Sequence, residues 1–156
     1  MERPTGKCLE TDANLVGRWV ADRIGGEWVP GCGQAIGLRD LSGELIAGVI
    51  FEGWNGTSVR MHVAAVPGRR WLNRAYLHTC FWYAFEQLGC KTVIGLVPES
   101  NMDARRFDEH LGFRPKATLE DCHPDGSLII YTMTKAECRW LSMRVPDGQT
   151  EGSPAT

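Results

Sequence analysis

The chain has 156 residues, of which 43% are hydrophobic, and a formal net charge of −2 at pH 7. These values are typical of one soluble globular domain with a sizeable core. The near-neutral charge excludes a global basic field, so no membrane partner is expected and a nucleic-acid partner is disfavoured without being excluded. No apolar run approaches the ~20 residues of a membrane helix, and the N-terminus lacks the apolar centre of a signal peptide. A cytoplasmic location is therefore expected.

The cysteines give no sign of a structural framework. Six are scattered along the chain with no CxxC pair, and without an export signal we expect all of them to be reduced thiols. Cys122 and His123 are adjacent and His110 lies upstream, but this is not a spacing that binds zinc. The sequence therefore predicts no metal site.

The first half of the chain predicts one helix and three strands. Residues 1–10 are expected to be a loosely held lead-in, and Asp12 can cap a helix that ends near Ile24. Trp28, in the Gly- and Pro-rich loop that follows, either plugs the core or forms part of a substrate wall. Short apolar runs at residues 34–39, 45–52 and 59–66, joined by tight turns, predict an antiparallel meander.

The second half alternates helices and strands. The expected elements are a long buried helix from 71 or 72 to 88, a central strand 92–97, a helix from about 101 to 111, a strand 113–119, a strand 127–134 and a short helix 136–143. Pro115 within the strand 113–119 suits an edge or a bulge. Residues 121–126 are expected to be a turn. Residues 146–156 are predicted to be a disordered tail, which leaves 1–145 as one domain. This order predicts an α+β fold whose mixed sheet is antiparallel at first and then has one βα crossover.

A basic loop precedes the long helix. Residues 67–74, PGRRWLNR, place Arg69, Arg70 and Arg74 at the helix N-terminus, where exposed amides and the helix dipole bind anions. The alternative is a solvated basic turn that only caps the helix. The arrangement of strand, basic loop and helix can hold a phosphorylated cofactor.

Residues 101–113, NMDARRFDEHLGF, resemble the second cofactor-side motif of the GNAT family of acyl-CoA N-acyltransferases. They share its Asn, a small residue three positions on, and a helix that ends in Leu-Gly-Phe. With Arg106 and Glu109, the spacing looks closest to the branch that acetylates ribosomal-protein N-termini. Residues 70–75 resemble the pyrophosphate loop but carry Asn73 where Gly is usual. The resemblance covers residues 34–135, and the overall style is similar to small members encoded by phages and prophages.

The resemblance implies a mixed, mostly antiparallel sheet of about six or seven strands flanked by helices. It also implies acetyl-CoA as co-substrate, in a cleft where two strands splay apart. The strand before the basic loop would pair with the pantetheine arm, while the loop and the helix starts would hold the phosphates. The residues expected to bind the cofactor are Ala64, Ala65, Val66, Arg69, Arg70, Trp71, Leu72, Asn73, Arg74, Asn101 and Arg105.

Acetyl transfer needs a group that removes a proton from the amine and donors for the oxyanion. Glu52 and His62 are the candidate bases, although each could be structural instead, and an amide near Ala64 is a candidate oxyanion donor. Many family members have a Tyr seven residues after the motif Asn, and it protonates the departing thiolate. This chain has Asp108 there, which we expect to be a solvent-exposed helix residue. Tyr131 could supply a hydroxyl, with a plain core position as the alternative.

The expected activity is transfer of an acetyl group from acetyl-CoA to a primary amine, which could belong to a protein N-terminus, a lysine, a small molecule or a modified base. The alternative is a non-catalytic acetyl-CoA-binding or interaction protein with the same fold, such as a phage-encoded one. The acceptor pocket would be formed by residues 15–30 and 120–127, neither of which carries a motif. Six tryptophans leave room for an apolar interface, so a homodimer stays open.

Overall fold

The computed structural model describes residues 7–69 and 73–142. Within them, seven strands form one sheet and three α-helices cover its faces. The strands are β1 (Cys8–Glu10), β2 (Gly33–Arg39), β3 (Leu45–Glu52), β4 (Ser58–Ala65), β5 (Thr92–Pro98), β6 (Arg114–His123) and β7 (Gly126–Thr134). The helices are α1 (Ala13–Ile24), α2 (Arg74–Trp82) and α3 (Met102–Leu111). A π-helical turn, Tyr83–Gln87, prolongs α2, and a 3-10 turn, Lys135–Glu137, follows β7.

The sheet order is β1-β2-β3-β4-β5-β7-β6. All neighbouring strands are antiparallel except β4 and β5, which are parallel and joined through α2. A parallel pair needs such a crossover because its two strands run in the same direction. The predicted α+β fold with a mixed, mostly antiparallel sheet is therefore confirmed.

Helix α1 covers one face of the first half of the sheet. Asp12 caps it by accepting from the Leu15 amide at 3.2 Å, as predicted. Val16 and Val20 lie one helical turn apart and are fully buried, and they pack against Ala35, Ile50 and Ala64. Gly48 allows this close approach, since a Cβ there would lie 2.6 Å from the Val20 side chain. One face of β2, β3 and β4 is thus closed by α1.

The larger core lies on the opposite face, under α2 and α3. Tyr76, Cys80 and Phe81 of α2 are almost completely buried against the sheet, as their helical spacing predicts. The Tyr76 hydroxyl donates to the Ile36 carbonyl at 2.7 Å, which satisfies its buried polar atom. In α3, Leu111 is buried and Gly112 ends the helix in a left-handed conformation. The predicted helix start at 71 or 72 lies outside the described residues.

The structure has one strand that the sequence does not predict and one that is longer than predicted. Residues 8–10, expected to be a loose lead-in, pair with β2 and form the short edge strand β1. At the other edge, β6 runs through part of the predicted turn 121–126 as far as His123, which pairs with Gly126. Its register shifts after Leu119, and Asp121 has a positive φ of 54° within the irregular stretch. Pro115 lies in this edge strand, as predicted.

The predicted terminal helix 136–143 is wrong, since the described residues form only the single 3-10 turn Lys135–Glu137. Thr134 and Glu137 close that turn with reciprocal side-chain caps. The chain then folds back, and the Trp140 indole donates to the Leu111 carbonyl at 2.8 Å. Burial of that indole holds the segment against α3 in place of a helix. The predicted tail, 146–156, lies outside the described residues.

None of the described helices is long and apolar enough to cross a membrane. The six cysteines are free thiols. Cys80 is completely buried, and this burial raises the pKa of its thiol to about 12. It therefore packs as a small apolar residue, as expected.

Candidate functional site

Strands β4 and β5 are paired over only three residues. The pairs are Ser58 with Thr92, Val59 with Val93 and Arg60 with Ile94. Beyond them, β4 continues to Ala65 and β5 to Pro98 without pairing to each other, although each keeps its antiparallel neighbour. The sheet therefore opens into a cleft in its middle, as the resemblance implies.

The β4 backbone groups that face this cleft follow from the hydrogen bonds at the two ends of the strand. The Val66 amide donates to the Ile46 carbonyl of the β3 segment at 2.9 Å, whereas the Thr57 carbonyl accepts from Lys91 on the β5 side at 2.7 Å. Backbone groups alternate in direction along a strand. The backbone groups of Val63 and Ala65 therefore face the cleft. The backbone groups of Ala64 and Val66, which are two residues apart, point to β3.

Ala64 and Val66 were expected to pair with a cofactor through their backbones. This arrangement does not allow that pairing, because their amides are turned toward β3. The pairing of Ala65 with a cofactor stays a prediction. Its backbone groups face the cleft, as do those of Val63, which the sequence pattern did not single out. The Ala64 side chain is 8% exposed and lies on the α1 face with Ile50. The oxyanion donor predicted near Ala64 stays a prediction, and the nearest amides that face the cleft are those of Val63 and Ala65.

Asn73 caps the start of α2. Its side-chain oxygen accepts from the amides of Ala75 at 2.9 Å and Tyr76 at 3.4 Å. Its backbone is extended, with φ −109°, so this Asn does not stand in for the usual Gly through a left-handed conformation. Two of the amides at this helix end are consequently occupied by the protein itself. Arg74 begins the helix and is exposed, and the predicted cofactor contacts Arg70, Trp71 and Leu72 lie outside the described residues.

Arg69 is held by a carboxylate. Its guanidinium forms an ion pair with Asp40 in the β2–β3 turn. Hydrogen bonds lower the pKa of Asp40 to about 2, first from the Ser42 hydroxyl, then from the Glu44 and Ser42 amides and from Arg69. Asp40 therefore stays ionised at neutral pH and ties the end of β4 to the β2–β3 turn. A phosphate contact by Arg69 stays a prediction, and it would have to share the guanidinium with Asp40.

The start of α3 is capped by Asn101, which accepts from the Ala104 amide at 3.1 Å, as predicted. One turn on, Arg105 donates to the Glu99 carbonyl at 3.1 Å, and its Nε lies 3.4 Å from the Tyr131 hydroxyl. Tyr131 is fully buried and its hydroxyl also lies 3.5 Å from a Glu109 carboxylate oxygen. Both hydroxyl contacts are long, and they place Tyr131 beneath α3. The roles predicted for Asn101, Arg105 and Tyr131 in cofactor binding or catalysis stay predictions.

Asp108 is partly buried, which corrects the expectation of a solvent-exposed helix residue. Its Oδ2 lies 2.9 Å from the position that a Cβ on Gly95 would occupy. Gly95 is the first β5 residue beyond the last β4–β5 pair, so the carboxyl lies where the cleft begins. Burial, with a smaller effect from the neighbouring Glu109 charge, raises the pKa of Asp108 to about 7.

A sequence signal for this position existed. Gly95 interrupts the continuous apolar strand TVIGLV, and an isolated Gly within a strand marks a close approach by another group. The signal does not say which group approaches. That requires the crossing of α3 over β5, which is a tertiary feature.

His62 and Glu52, predicted as separate candidates for the base, contact each other. The His62 Nε2 lies 2.7 Å from a Glu52 carboxylate oxygen, and Arg60 lies 3.6 Å from the same oxygen. Glu52 pairs with Arg60 and Ile50 with His62, so the two side chains are diagonal neighbours on one face of the sheet. Both remain accessible, with side chains 20% exposed for His62 and 37% for Glu52.

The alternation along β4 fixes the face on which His62 lies. Met61 and Val63 pack in the core under α2 and α3, while Ala64 packs against α1. His62 therefore lies on the α1 face. Trp28 is nearby, because a Cβ on Gly33, the register partner of Glu52, would lie 3.6 Å from its ring.

Trp28 is partly buried and packs with the small α1-side core. A Cβ on Gly17 would lie 2.2 Å from its ring, and its indole donates to Asn14 at 2.9 Å. This packing agrees with the interpretation that Trp28 plugs the core. Its edge also lies beside the strand end that carries Glu52, so the two interpretations are compatible.

The cleft thus carries different groups on its two faces. On the α1 face are His62 and Glu52, a hydrogen-bonded pair able to take up a proton. On the other face are the N-terminus of α2 and the carboxyl of Asp108. Within the described residues, no group of three or more His, Cys, Asp or Glu side chains could hold a metal ion.

No protein-family model matches the sequence, and no curated protein matches it. Solved structures do match the fold. A spermidine N-acetyltransferase SpeG mutant from Vibrio cholerae is 13% identical with a TM-score of 0.70, covering 88% of this chain and 98% of its own. SpeG from the same organism in complex with CoA and spermine is 14% identical with a TM-score of 0.64, covering 85% and 98%. A dodecameric spermidine N-acetyltransferase from that organism is 12% identical with a TM-score of 0.66, covering 85% and 95%.

At these identities the likeness establishes the fold. The chain has the fold of these N-acetyltransferases over most of its length, which confirms the fold class that the resemblance of residues 101–113 implies.

Proposed function

We propose that this protein transfers an acetyl group from acetyl-CoA to a primary amine. The observation that carries the proposal is the cleft between β4 and β5, with the start of α2 on one side and the His62–Glu52 pair on the other. Structures with this fold belong to N-acetyltransferases, and one of them is in complex with CoA and spermine. That neighbour supports acetyl-CoA as the co-substrate and an amine as the acceptor.

The cleft suits an extended ligand that carries amides. Val63 and Ala65 present backbone N–H and C=O groups to the opening and have no strand partner there in the described part of the chain. A pantetheine arm, with its two amide groups, can pair with them as an added strand would. The phosphates would then lie at the start of α2, near Arg74 and the loop before it, where the helix dipole favours negative charge.

The His62–Glu52 pair supplies the base. A neutral imidazole can accept the proton that the amine loses as it attacks the thioester carbonyl. Glu52 accepts a hydrogen bond from the Nε2–H of that imidazole, so Nδ1 is the nitrogen available to the amine. The neighbouring carboxylate also stabilises the imidazolium that forms. The acceptor would enter from the α1 face, beside Trp28.

The proposal is tested by measuring thiol release from acetyl-CoA with a panel of amines, alongside calorimetric binding of CoA. The panel includes a polyamine, lysine, a peptide with a free N-terminus and an aminated nucleobase. Amine-dependent thiol release supports the proposal. CoA binding without turnover for any amine contradicts the enzymatic proposal and favours the non-catalytic module. Absence of CoA binding contradicts both and leaves only a shared fold.

Replacing the cap Asn73 tests where the phosphates bind. We expect Asn73→Gly to bind CoA about tenfold more tightly, equivalent to about 1.4 kcal/mol. The substitution frees the Ala75 and Tyr76 amides, which the Asn side chain now occupies. Helix stability should fall by only a few tenths of a kcal/mol, roughly the cost of a Gly cap. Calorimetric titration with CoA measures the affinity, and thermal unfolding measures the stability.

The matched control is Asp12→Gly, which removes the cap of α1. It should lower stability to a similar extent and leave the CoA affinity unchanged, since α1 lies on the opposite face from α2. An Asn73→Gly affinity equal to that of the wild type would show that the phosphates do not use these two amides. Homodimer formation, a cytoplasmic location and a phage origin stay predictions.

A further inference from the structure

Strands β5 and β7 carry a group of aliphatic side chains that neither apolar core includes. Alternate residues of both strands are buried in the larger core under α2 and α3. The side chains between them point to the opposite face and are partly exposed: Ile94, Leu96, Leu128 and Ile130. Within residues 7–69 and 73–142, these four belong to neither core. Grouped aliphatic side chains on an open sheet face gain free energy when an apolar group covers them.

The strand register places this face beside His62. Arg60 pairs with Ile94, and register partners in neighbouring strands project to the same face of a sheet. Two residues further along the two strands come His62 and Leu96, so they lie at the same level on opposite sides of the cleft. Leu96 pairs in turn with Ile130 of β7. An amine held at His62 therefore has the aliphatic face next to it.

The aliphatic face is small. Its members form two rows of register partners across β5, β7 and β6: Leu96, Ile130 and Ala117 in one row, and Pro98, Leu128 and Leu119 in the other. From the ordinary strand spacing and rise, the face is about 10 Å wide with its two rows about 7 Å apart. It is far smaller than the roughly 800 Å² per partner of a standard protein interface. Its size suits a phenyl ring or a short alkyl chain.

The aliphatic face is also uncharged. The carboxylate across the cleft, Glu52, is already engaged by His62 and Arg60. Beside the face, the guanidinium of Arg114 is held by Glu137 at 2.8 Å. All six side chains of the two rows are uncharged, so an ammonium group placed over them would lose hydration without gaining a carboxylate. A neutral apolar group is the chemistry that fits.

The backbone beneath the face favours a small molecule over a peptide. From residue 128 to 132, β7 is hydrogen-bonded to β5 on one side and to β6 on the other. A peptide laid across it would have to leave its own amides unpaired there, which costs free energy. An alkyl or aryl amine carries no such groups.

We propose that the acceptor is a small primary monoamine whose neutral apolar group lies on the aliphatic face formed by Leu96, Leu128 and Ile130. The assignment rests on the proposed acetyl transfer and specifies its acceptor. The amine nitrogen bonds to the acetyl carbon, and the carbon–sulfur bond breaks with its electron pair on sulfur. The proton lost by the nitrogen passes to His62 and then to solvent, while the CoA thiolate takes up a proton from solvent.

The test measures kcat/KM at saturating acetyl-CoA for ethylamine, butylamine and hexylamine, with hexamethylenediamine and spermidine alongside. We expect about a twofold gain for each added methylene, since the face covers one side of the chain, and so about a 15-fold gain from ethylamine to hexylamine. Hexamethylenediamine has the length of hexylamine with a second ammonium at its far end. It should be at least about tenfold poorer than hexylamine, and spermidine poorer still.

The variant Ile130→Thr tests the aliphatic face directly. It removes apolar surface and keeps a β-branched side chain suited to a strand. We expect the ratio of kcat/KM for hexylamine to that for ethylamine to fall about fivefold, with the CoA dissociation constant unchanged. This ratio does not depend on the fraction of folded protein, so lost stability cannot imitate the effect. The matched control is Leu9→Thr in the opposite edge strand β1, where Leu9 is 43% exposed, and it should keep the wild-type ratio.

Four outcomes would overturn the assignment. Equal kcat/KM for the whole series, or spermidine as the best acceptor, would show that the face does not select the acceptor while the proposed acetyl transfer stands. A strong preference for a tripeptide with N-terminal leucine over hexylamine would contradict the small-amine class. A wild-type dimer that Ile130→Thr dissociates, detected by sedimentation velocity, would assign the face to a second copy of the chain. Absence of thiol release with every amine would contradict the proposed function as well.

Discussion

His62→Gln should lower turnover at saturating acetyl-CoA by about 100-fold, within the range that a positioned acid or base contributes. The reason is the contact of 2.7 Å between His62 Nε2 and Glu52, which leaves Nδ1 as the ring nitrogen that can take up a proton. Gln retains a polar group of similar length but cannot take up a proton. The CoA dissociation constant should not change, because the imidazole lies on the α1 face of the cleft. Steady-state kinetics and calorimetry measure the two quantities separately.

Two variants sharpen this prediction. Glu52→Gln keeps an acceptor for the His62 N–H but removes the charge, so we expect a smaller loss of about tenfold. His110→Gln changes an exposed histidine in the last turn of α3 and should leave turnover unchanged. A wild-type turnover number in His62→Gln would remove His62 from the mechanism.

Asp108→Asn should stabilise the folded protein above pH 7, and the gain should disappear below about pH 4. The unfolded carboxyl has an ordinary pKa of 3.8, whereas burial raises the folded pKa to about 7. Between these values the folded state binds more protons than the unfolded state, so the wild type loses stability as the pH rises. At about 1.4 kcal/mol for each unit of pKa, the loss reaches at most about 4 kcal/mol, and residual contact with water reduces it.

Urea unfolding at pH 4, 6 and 8 measures this effect as the difference between wild type and variant. Asp40 and Glu137 have lowered pKa values, and so they stabilise the fold above their unfolded pKa values; both proteins share these contributions, which cancel in the difference. Asp103→Asn should show no such pH-dependent difference, because its carboxyl is exposed. A pH-independent difference for Asp108→Asn would mean that the folded carboxyl titrates normally.

The features that were predictable from the sequence are those that short segments specify by themselves. Asp12 and Asn101 cap their helices as local hydrogen-bond acceptors, and Gly112 ends α3 through its left-handed backbone. The three-strand meander follows from tight turns between apolar runs. The short strand β1 and the turn at Lys135–Glu137 were not predictable, because pairing with β2 and burial of Trp140 decide them.

In the candidate site, too, residue types were predictable from the sequence, whereas their contacts were not. His62 and Glu52 were recognisable one at a time as residue types suited to proton transfer, but their contact depends on the β3–β4 register. Ala64 and Val66 were expected to face a cofactor, but the direction of a strand amide depends on which neighbour it bonds, and their amides point to β3. The partial burial of Asp108 was not predicted, because it depends on the crossing of α3 over Gly95.

The short β4–β5 pairing also has a mechanical consequence. Strands β1 to β4 form one half of the sheet, and strands β5, β7 and β6 form the other. The backbones of these two half-sheets pair at three consecutive positions. Few backbone hydrogen bonds therefore join the two half-sheets, and side-chain packing under α2 also holds them together. A ligand bound along Val63 and Ala65 would bridge the two half-sheets, so its binding would also make the sheet more rigid.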